Sequence, residues 1–217
     1  MLDERMQAVI NFVESGSKVA DIGADHGYLS IELAKSSRAI KVIATEKNEK
    51  PCEAARKNIS EAGLTDVVDV RLGDGLKVLA PKEVDTICIA GMGGALILTI
   101  LDESPTVVKS AQRLILQPMN ASEKVREWLT ANDWTIDDED LAESSGIIYE
   151  IISACKSKDV TQKIFKRKTS PLLKKFLQQR IEKFKRILNE MKKSKAAQSG
   201  EKFLELKKKI EALEEKF

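Results

Sequence analysis

Apolar residues recur along this chain in two rhythms that trade places. Leu2, Met6, Val9, Ile10 and Val13 share one helical face over residues 2–14. Short apolar runs then alternate with segments of helical period. Lys18–Gly23, Lys41–Glu46, Val67–Leu72, Val84–Ala90 and Arg113–Gln117 read as strands. Tyr28–Lys35, Asn48–Ala62, Ala95–Leu101 and Ala121–Ala131 read as helices, the second stopped by Gly63. Such alternation builds a parallel sheet with helices on both faces. Trp134–Leu141 and Ile147–Ala154 follow with no helix between them and Gly146 at the break. They predict an antiparallel hairpin at one edge. The sum is an α/β fold with a seven-stranded, doubly wound sheet.

The last quarter has a narrower rhythm. Leu177, Ile181, Phe184, Leu188 and Met191 are spaced 4-3-4-3, and Phe203, Leu206, Ile210, Leu213 and Phe217 are spaced 3-4-3-4. These are coiled-coil seams of equal length. Small residues over Ser194–Gly200 predict a turn between them. Two heptads are short for a lone helix, so the seams predict an antiparallel helical hairpin. The domains expected are 1–157, a sheet domain, and 158–217, a helical one.

Charge separates the same two parts. The 217 residues carry 36 basic and 34 acidic side chains, a net of only +2. Residues 1–155 hold 16 basic and 26 acidic residues, net −10, and residues 156–217 hold the remaining 20 and 8, net +12. Within the tail, 163–195 has 13 basic and 2 acidic residues, whereas 201–217 has 5 of each. A solvated coiled-coil face is usually mixed in sign. The first tail helix departs from that, which points to a polyanion partner. Lys166, Arg167, Lys168, Lys174 and Lys175 lie nearest the body. Binding to a membrane surface is the competing use, and the narrow seam argues against it because its apolar residues are consumed by the partner helix.

Several classes are excluded. The longest stretch without charge, Thr86–Leu101, contains three glycines and falls short of the roughly 20 apolar residues a membrane helix needs. Asp3, Glu4 and Arg5 do not suit a secretory signal. Cys52, Cys88 and Cys155 are odd in number and widely spaced, as in a reducing cytoplasm. With His26 as the single histidine, no zinc cluster is expected.

The chemistry gathers at the strand ends, where open parallel sheets bind ligands. The first strand runs into Asp21-Ile22-Gly23-Ala24-Asp25-His26-Gly27. A dinucleotide loop reads G-x-G-x-x-G and holds pyrophosphate on backbone N–H groups. Here Asp25 stands where the second glycine would be, and its carboxylate would repel pyrophosphate. S-adenosyl-L-methionine has no phosphate and carries positive ammonium and sulfonium groups, which Asp21 and Asp25 suit. Glu46 ends the second strand, placed to accept ribose hydroxyls or simply to sit favourably before a helix. Asp74 in Leu72-Gly73-Asp74-Gly75 is placed for an adenine amine or a turn. Ala90-Gly91-Met92-Gly93-Gly94 lets backbone approach a cofactor or substrate, with Met92 offering a soft apolar surface or filling core.

VADIGADHGYLS, IATEKN, LGDGL, IAGMGG and LQPMN together resemble the motif series of the bacterial TrmK family, S-adenosyl-L-methionine-dependent tRNA (adenine-N1) methyltransferases acting on adenine 22. The resemblance spans nearly the whole chain, since that family also ends in a helical coiled-coil domain. It implies a Rossmann-like class I methyltransferase sheet followed by an α-helical antiparallel coiled-coil domain. It also implies cofactor contacts at Asp21, Gly23, Glu46, Asp74 and Gly91, to which Asp25, Gly75 and Met92 are added as neighbours. Asp25 is the candidate for stabilising the charge that develops on a methylated adenine, with a cofactor-binding or loop role as its alternative. His26, the other catalytic candidate, either orients Asp25, contacts the substrate, or starts the helix with a hydrogen bond to the loop. Tyr28, Gly93 and Gln117 are candidates for the substrate side, with packing as the favoured alternative for Tyr28. Asn120 with Glu123 reads as a variant capping box. The expected partner is tRNA, with no membrane, no metal and a monomeric, cytoplasmic chain.

Overall fold

The computed structural model describes residues 3–156, 166–193 and 200–215. The chain divides into two compact units, residues 1–167 and 168–217. The expected boundary between 157 and 158 lies outside the described residues.

The first unit opens with α1 (Glu4–Phe12), capped by Asp3, whose carboxylate accepts the Met6 N–H. It continues through β1 (Ser17–Ile22), α2 (Tyr28–Lys35), β2 (Ala39–Glu46), α3 (Glu49–Glu61) and β3 (Val68–Leu72). A 3-10 turn at Gly75–Val78 leads to β4 (Thr86–Met92), α4 (Gly94–Asp102) and α5 (Pro105–Ser110). Then come β5 (Arg113–Pro118), α6 (Ser122–Ala131) and the hairpin β6 (Thr135–Ser144) and β7 (Ile147–Cys155). The seven strands lie in the order β3-β2-β1-β4-β5-β7-β6. The first five are parallel, and β7 and β6 add antiparallel at the edge, as the strand pattern predicts.

Residues of each central strand alternate between two cores. Val19, Val42 and Cys88 face one layer with α1, α2 and α3, where Val9, Leu33 and Ile59 are buried. Ala20, Ile43, Ile87 and Leu114 face the other, formed with α4, α5 and α6 through Ile97, Val108 and Leu129. Because both faces are covered, the central strands are continuously apolar rather than alternating with polar positions. The strand order reverses direction between β1 and β4, the point at whose carboxyl ends open sheets of this kind bind ligands.

Two local expectations change. Asn120 does not cap α6, whose cap position is Ala121 with φ 53 and no side-chain capping bond. The Asn120 side-chain and main-chain oxygens both accept the Gly94 N–H, each at 3.2 Å, so the residue serves the start of α4 instead. Helix α5 has no counterpart in the apolar pattern; Ser104 followed by Pro105 at its first turn is the local signal for it.

In the second unit a single turn, α7 (Lys166–Thr169), starts just before the division. Helices α8 (Leu173–Met191) and α9 (Glu201–Glu214) pack together through Ile181, Leu188 and Ile210, with Phe184, Phe203, Leu206 and Leu213 beside them. Lys185 near the middle of α8 pairs with Glu214 at the far end of α9 at 2.6 Å, which fits an antiparallel pair. Seven of the ten seam positions expected from the spacing meet in this cluster; Leu177 is buried and Met191 half-buried outside it, and Phe217 lies outside the described residues. Most of the expected turn, 194–199, lies outside them too.

Candidate functional site

Acidic side chains at the strand ends fall into a buried pair and an exposed partner. Asp21 is 3% exposed on β1, between its neighbours Ala44 on β2 and Cys88 on β4. Burial pushes its pKa up to about 6, against the Ser30 hydroxyl that donates to it at 2.6 Å and pulls it down. Glu46 is 8% exposed at the end of β2. One of its oxygens accepts the Asn48 backbone N–H at 2.9 Å and the other the Asp25 N–H at 3.3 Å. It thereby ties the β1–α2 loop to the start of α3. Asp25 itself adopts φ 50 and leaves its side chain 70% exposed at the mouth.

The β1–α2 loop is held against β2 by Gly23 N–H and Ala24 N–H, both donating to the Thr45 carbonyl at 2.9 Å. Gly23 has φ +72, and a Cβ there would stand 2.2 Å from Cε of Met92. The first and fourth strand-end loops therefore close on each other at a position that only glycine occupies without strain. Asp25 Oδ1 lies 3.7 Å from His26 Nε2, and the rings of His26 and Tyr28 are 5.9 Å apart. Tyr28 is 60% exposed. Asp25, His26 and Tyr28 thus form one exposed cluster beside the buried acids.

Asp74 follows β3 and is held by Lys77 at 2.7 Å and Lys47 at 3.3 Å, which lower its pKa. Gly75 begins the 3-10 turn against Ile100. Gly91, Met92 and Gly93 lie at the end of β4, and Gly93 is the cap position of α4. Gln117, expected on the substrate side, has no exposed surface. Its Oε1 accepts the Gly91 N–H at 2.9 Å and Arg5 Nη1 at 3.0 Å. Arg5 is the contributor the sequence pattern missed, because nothing in its neighbourhood along the chain points 112 residues ahead.

In the second unit Lys168, Lys174 and Lys175 are exposed, while the side chains of Lys166 and Arg167 lie outside the described residues. Arg180 is spent on packing, its guanidinium over the rings of Phe176 and Phe184 at 5.4 and 5.6 Å. Among the described residues no helix is long and apolar enough to cross a membrane.

A doubly wound sheet of this order, with acids closing its first two strands and glycine loops meeting at the switch point, defines a Rossmann-like methyltransferase. A family model described as a methyltransferase domain matches residues 2–152. The chain belongs to the TrmK family. It is 39% identical over 153 residues to the tRNA (adenine(22)-N(1))-methyltransferase of Bacillus subtilis, covering 70% of this chain and 64% of that relative. By that alignment the chain spans just under two thirds of the relative's length. The crystal structure of the B. subtilis M1A22 tRNA methyltransferase TrmK superimposes with a TM-score of 0.85 at 29% identity, covering 99% of this chain and 98% of that one. Streptococcus pneumoniae Sp1610 in complex with S-adenosyl-L-methionine matches with a TM-score of 0.81 at 32% identity over 99% of both chains.

Proposed function

We infer that the chain transfers a methyl group from S-adenosyl-L-methionine to N1 of adenine 22 in tRNA. The observation that carries this reading is its likeness, over both units, to a TrmK structure named for that reaction. The site residues suit the cofactor. Asp21 and Glu46 place two buried carboxyls where a phosphate would be repelled and a cationic amino acid and a ribose diol are accommodated. Gly23 leaves room for Met92, which offers a soft apolar surface between the first and fourth strand-end loops, Gly91 leaves room for Arg5, and Asp74 and Gly75 follow β3 at the same end of the sheet.

When bound, the cofactor supplies an electrophilic methyl carbon on a sulfonium. Adenine N1 attacks with its in-plane lone pair while neutral; the new N–C bond forms as the C–S bond breaks. No activated side-chain nucleophile is required, so the protein's task is alignment. The base becomes cationic, and the exposed Asp25 carboxylate is placed to stabilise it and to accept the proton its amine sheds. His26 orients Asp25 and Tyr28 offers a face for a base. Gly93 allows close approach of the target, which must be unpaired because N1 lies on the pairing edge. Lys166, Arg167, Lys168, Lys174 and Lys175 are assigned to tRNA phosphates, as a basic domain distinct from the cofactor domain. The protein works as a monomer in the cytoplasm, where three free cysteines are at home.

Incubation with labelled S-adenosyl-L-methionine and unmodified tRNA, followed by nucleoside mass spectrometry, tests this directly. The expected product is 1-methyladenosine at position 22. Label in another nucleoside, or none, overturns the assignment.

A further inference from the structure

Strand β4 carries an irregularity at Gly91. Its ladder with β5 pairs Ala90 with Gln117 and next Met92 with Pro118, so Gly91 is an extra residue between two paired ones. It adopts φ +75. A bulged residue loses its place in the ladder, and its N–H needs another acceptor. Oε1 of Gln117 fills that need at 2.9 Å. An amide oxygen has two lone pairs, and this one spends the other on Arg5 Nη1 at 3.0 Å. The Gln117 amide nitrogen turns to Met119 Sδ at 3.9 Å.

Arg5 is anchored on its own side. Its Nε donates to Asp3 at 3.4 Å, and its guanidinium lies 5.5 Å from the centre of the Tyr149 ring. Helix α1, which precedes the first strand, thus reaches under the fourth strand-end loop. The bulge matters to the site because the next residue is Met92, the side chain that closes on Gly23. Beyond the bulge the ladder resumes with Met119 N–H donating to the Met92 carbonyl at 2.8 Å.

We propose that Arg5 and Gln117 are positioning residues that set the Ala90–Gly94 loop for methyl transfer through one shared amide oxygen. The inference rests on the methyltransferase reading and deepens it. Gln117 has no exposed surface, and the Arg5 side chain is mostly buried. Each acts through Gly91, and the charge-assisted bond from Arg5 fixes which way the Gln117 amide faces.

The test uses the full chain with Arg5→Met, Gln117→Leu, the double variant and Gln117→Glu. Glutamate keeps an acceptor for both donors. Gln117→Leu and Arg5→Met each lower kcat about tenfold or more, since small misplacements of an aligned site are costly. KM for S-adenosyl-L-methionine rises by a smaller factor than kcat falls, because Asp21 and Glu46 are untouched although Gly91 and Met92 shift. The double variant is no worse than Gln117→Leu alone, the mark of a shared pathway. Gln117→Glu retains most of the rate. Amide hydrogen exchange over residues 88–96 without cofactor is faster in Gln117→Leu and Arg5→Met, a readout independent of activity. Wild-type rates in both variants, additive losses, or losses confined to melting temperature overturn the clamp. A wild-type chain that transfers no methyl overturns the function while the exchange comparison still decides the clamp.

Discussion

Asp21 is an expensive residue. In an unfolded chain its carboxyl ionises at about 3.8, and in the fold burial raises this to about 6, a difference worth about 3 kcal/mol. The folded state therefore holds an extra proton between those values. The stability linked to Asp21 is complete below about 3.8 and is lost as pH rises through about 6. Asp21→Asn removes the ionisation and keeps an acceptor for Ser30. Its melting temperature should equal the wild type's near pH 4 and exceed it at pH 7.5. At the same time it should weaken S-adenosyl-L-methionine binding by calorimetry. A melting-temperature gap that does not change with pH contradicts the assignment. That a carboxylate is kept here despite its cost fits a site for a cationic ligand. The choice of aspartates was legible in the sequence. That Asp21 is buried and Asp25 exposed was not, because both stand in one seven-residue motif and only the sheet's neighbours distinguish them.

Among the elements, strands and major helices followed from apolar spacing, which reports burial directly when both sheet faces are covered. The loops between them were legible only as candidates. Gly23 shows why: its constraint comes from Met92, nearly seventy positions away, together with a backbone at φ +72. Gly23→Ala should lower stability by about 1–3 kcal/mol through backbone strain and crowding. Adding Met92→Ala removes the crowding and leaves the strain, so thermal denaturation should show partial recovery. Full recovery would mean that the backbone conformation costs nothing. Asn120 makes the complementary point. Its spacing from Glu123 suggested a cap for α6, but the strand-end geometry brings it to Gly94 instead. Arg5 and Gln117 were separated in the same way, one read only as an N-terminal charge and the other as a substrate contact.

For the whole molecule, the net charge of +2 hides an acidic sheet unit and a basic helical one. Deleting residues 163–217 should weaken tRNA binding and make what remains much less salt-dependent, because a chain that neutralises fewer phosphates releases fewer counterions. Cofactor affinity should be largely retained. Equal tRNA affinity and an equal salt slope for both chains would remove the tail from recognition. The sequence alone determined the order of the strands and of the helices other than α5, the edge hairpin, most of the helical seams and the charge division. Each is a property of spacing or composition, so neighbours in the chain suffice to reveal it. The tertiary structure alone decided which carboxylate is buried, which loops meet, and that Arg5 and Gly91 share one oxygen of Gln117. Those depend on distances between residues far apart in the chain, and such distances exist only once the sheet has brought its strand ends together.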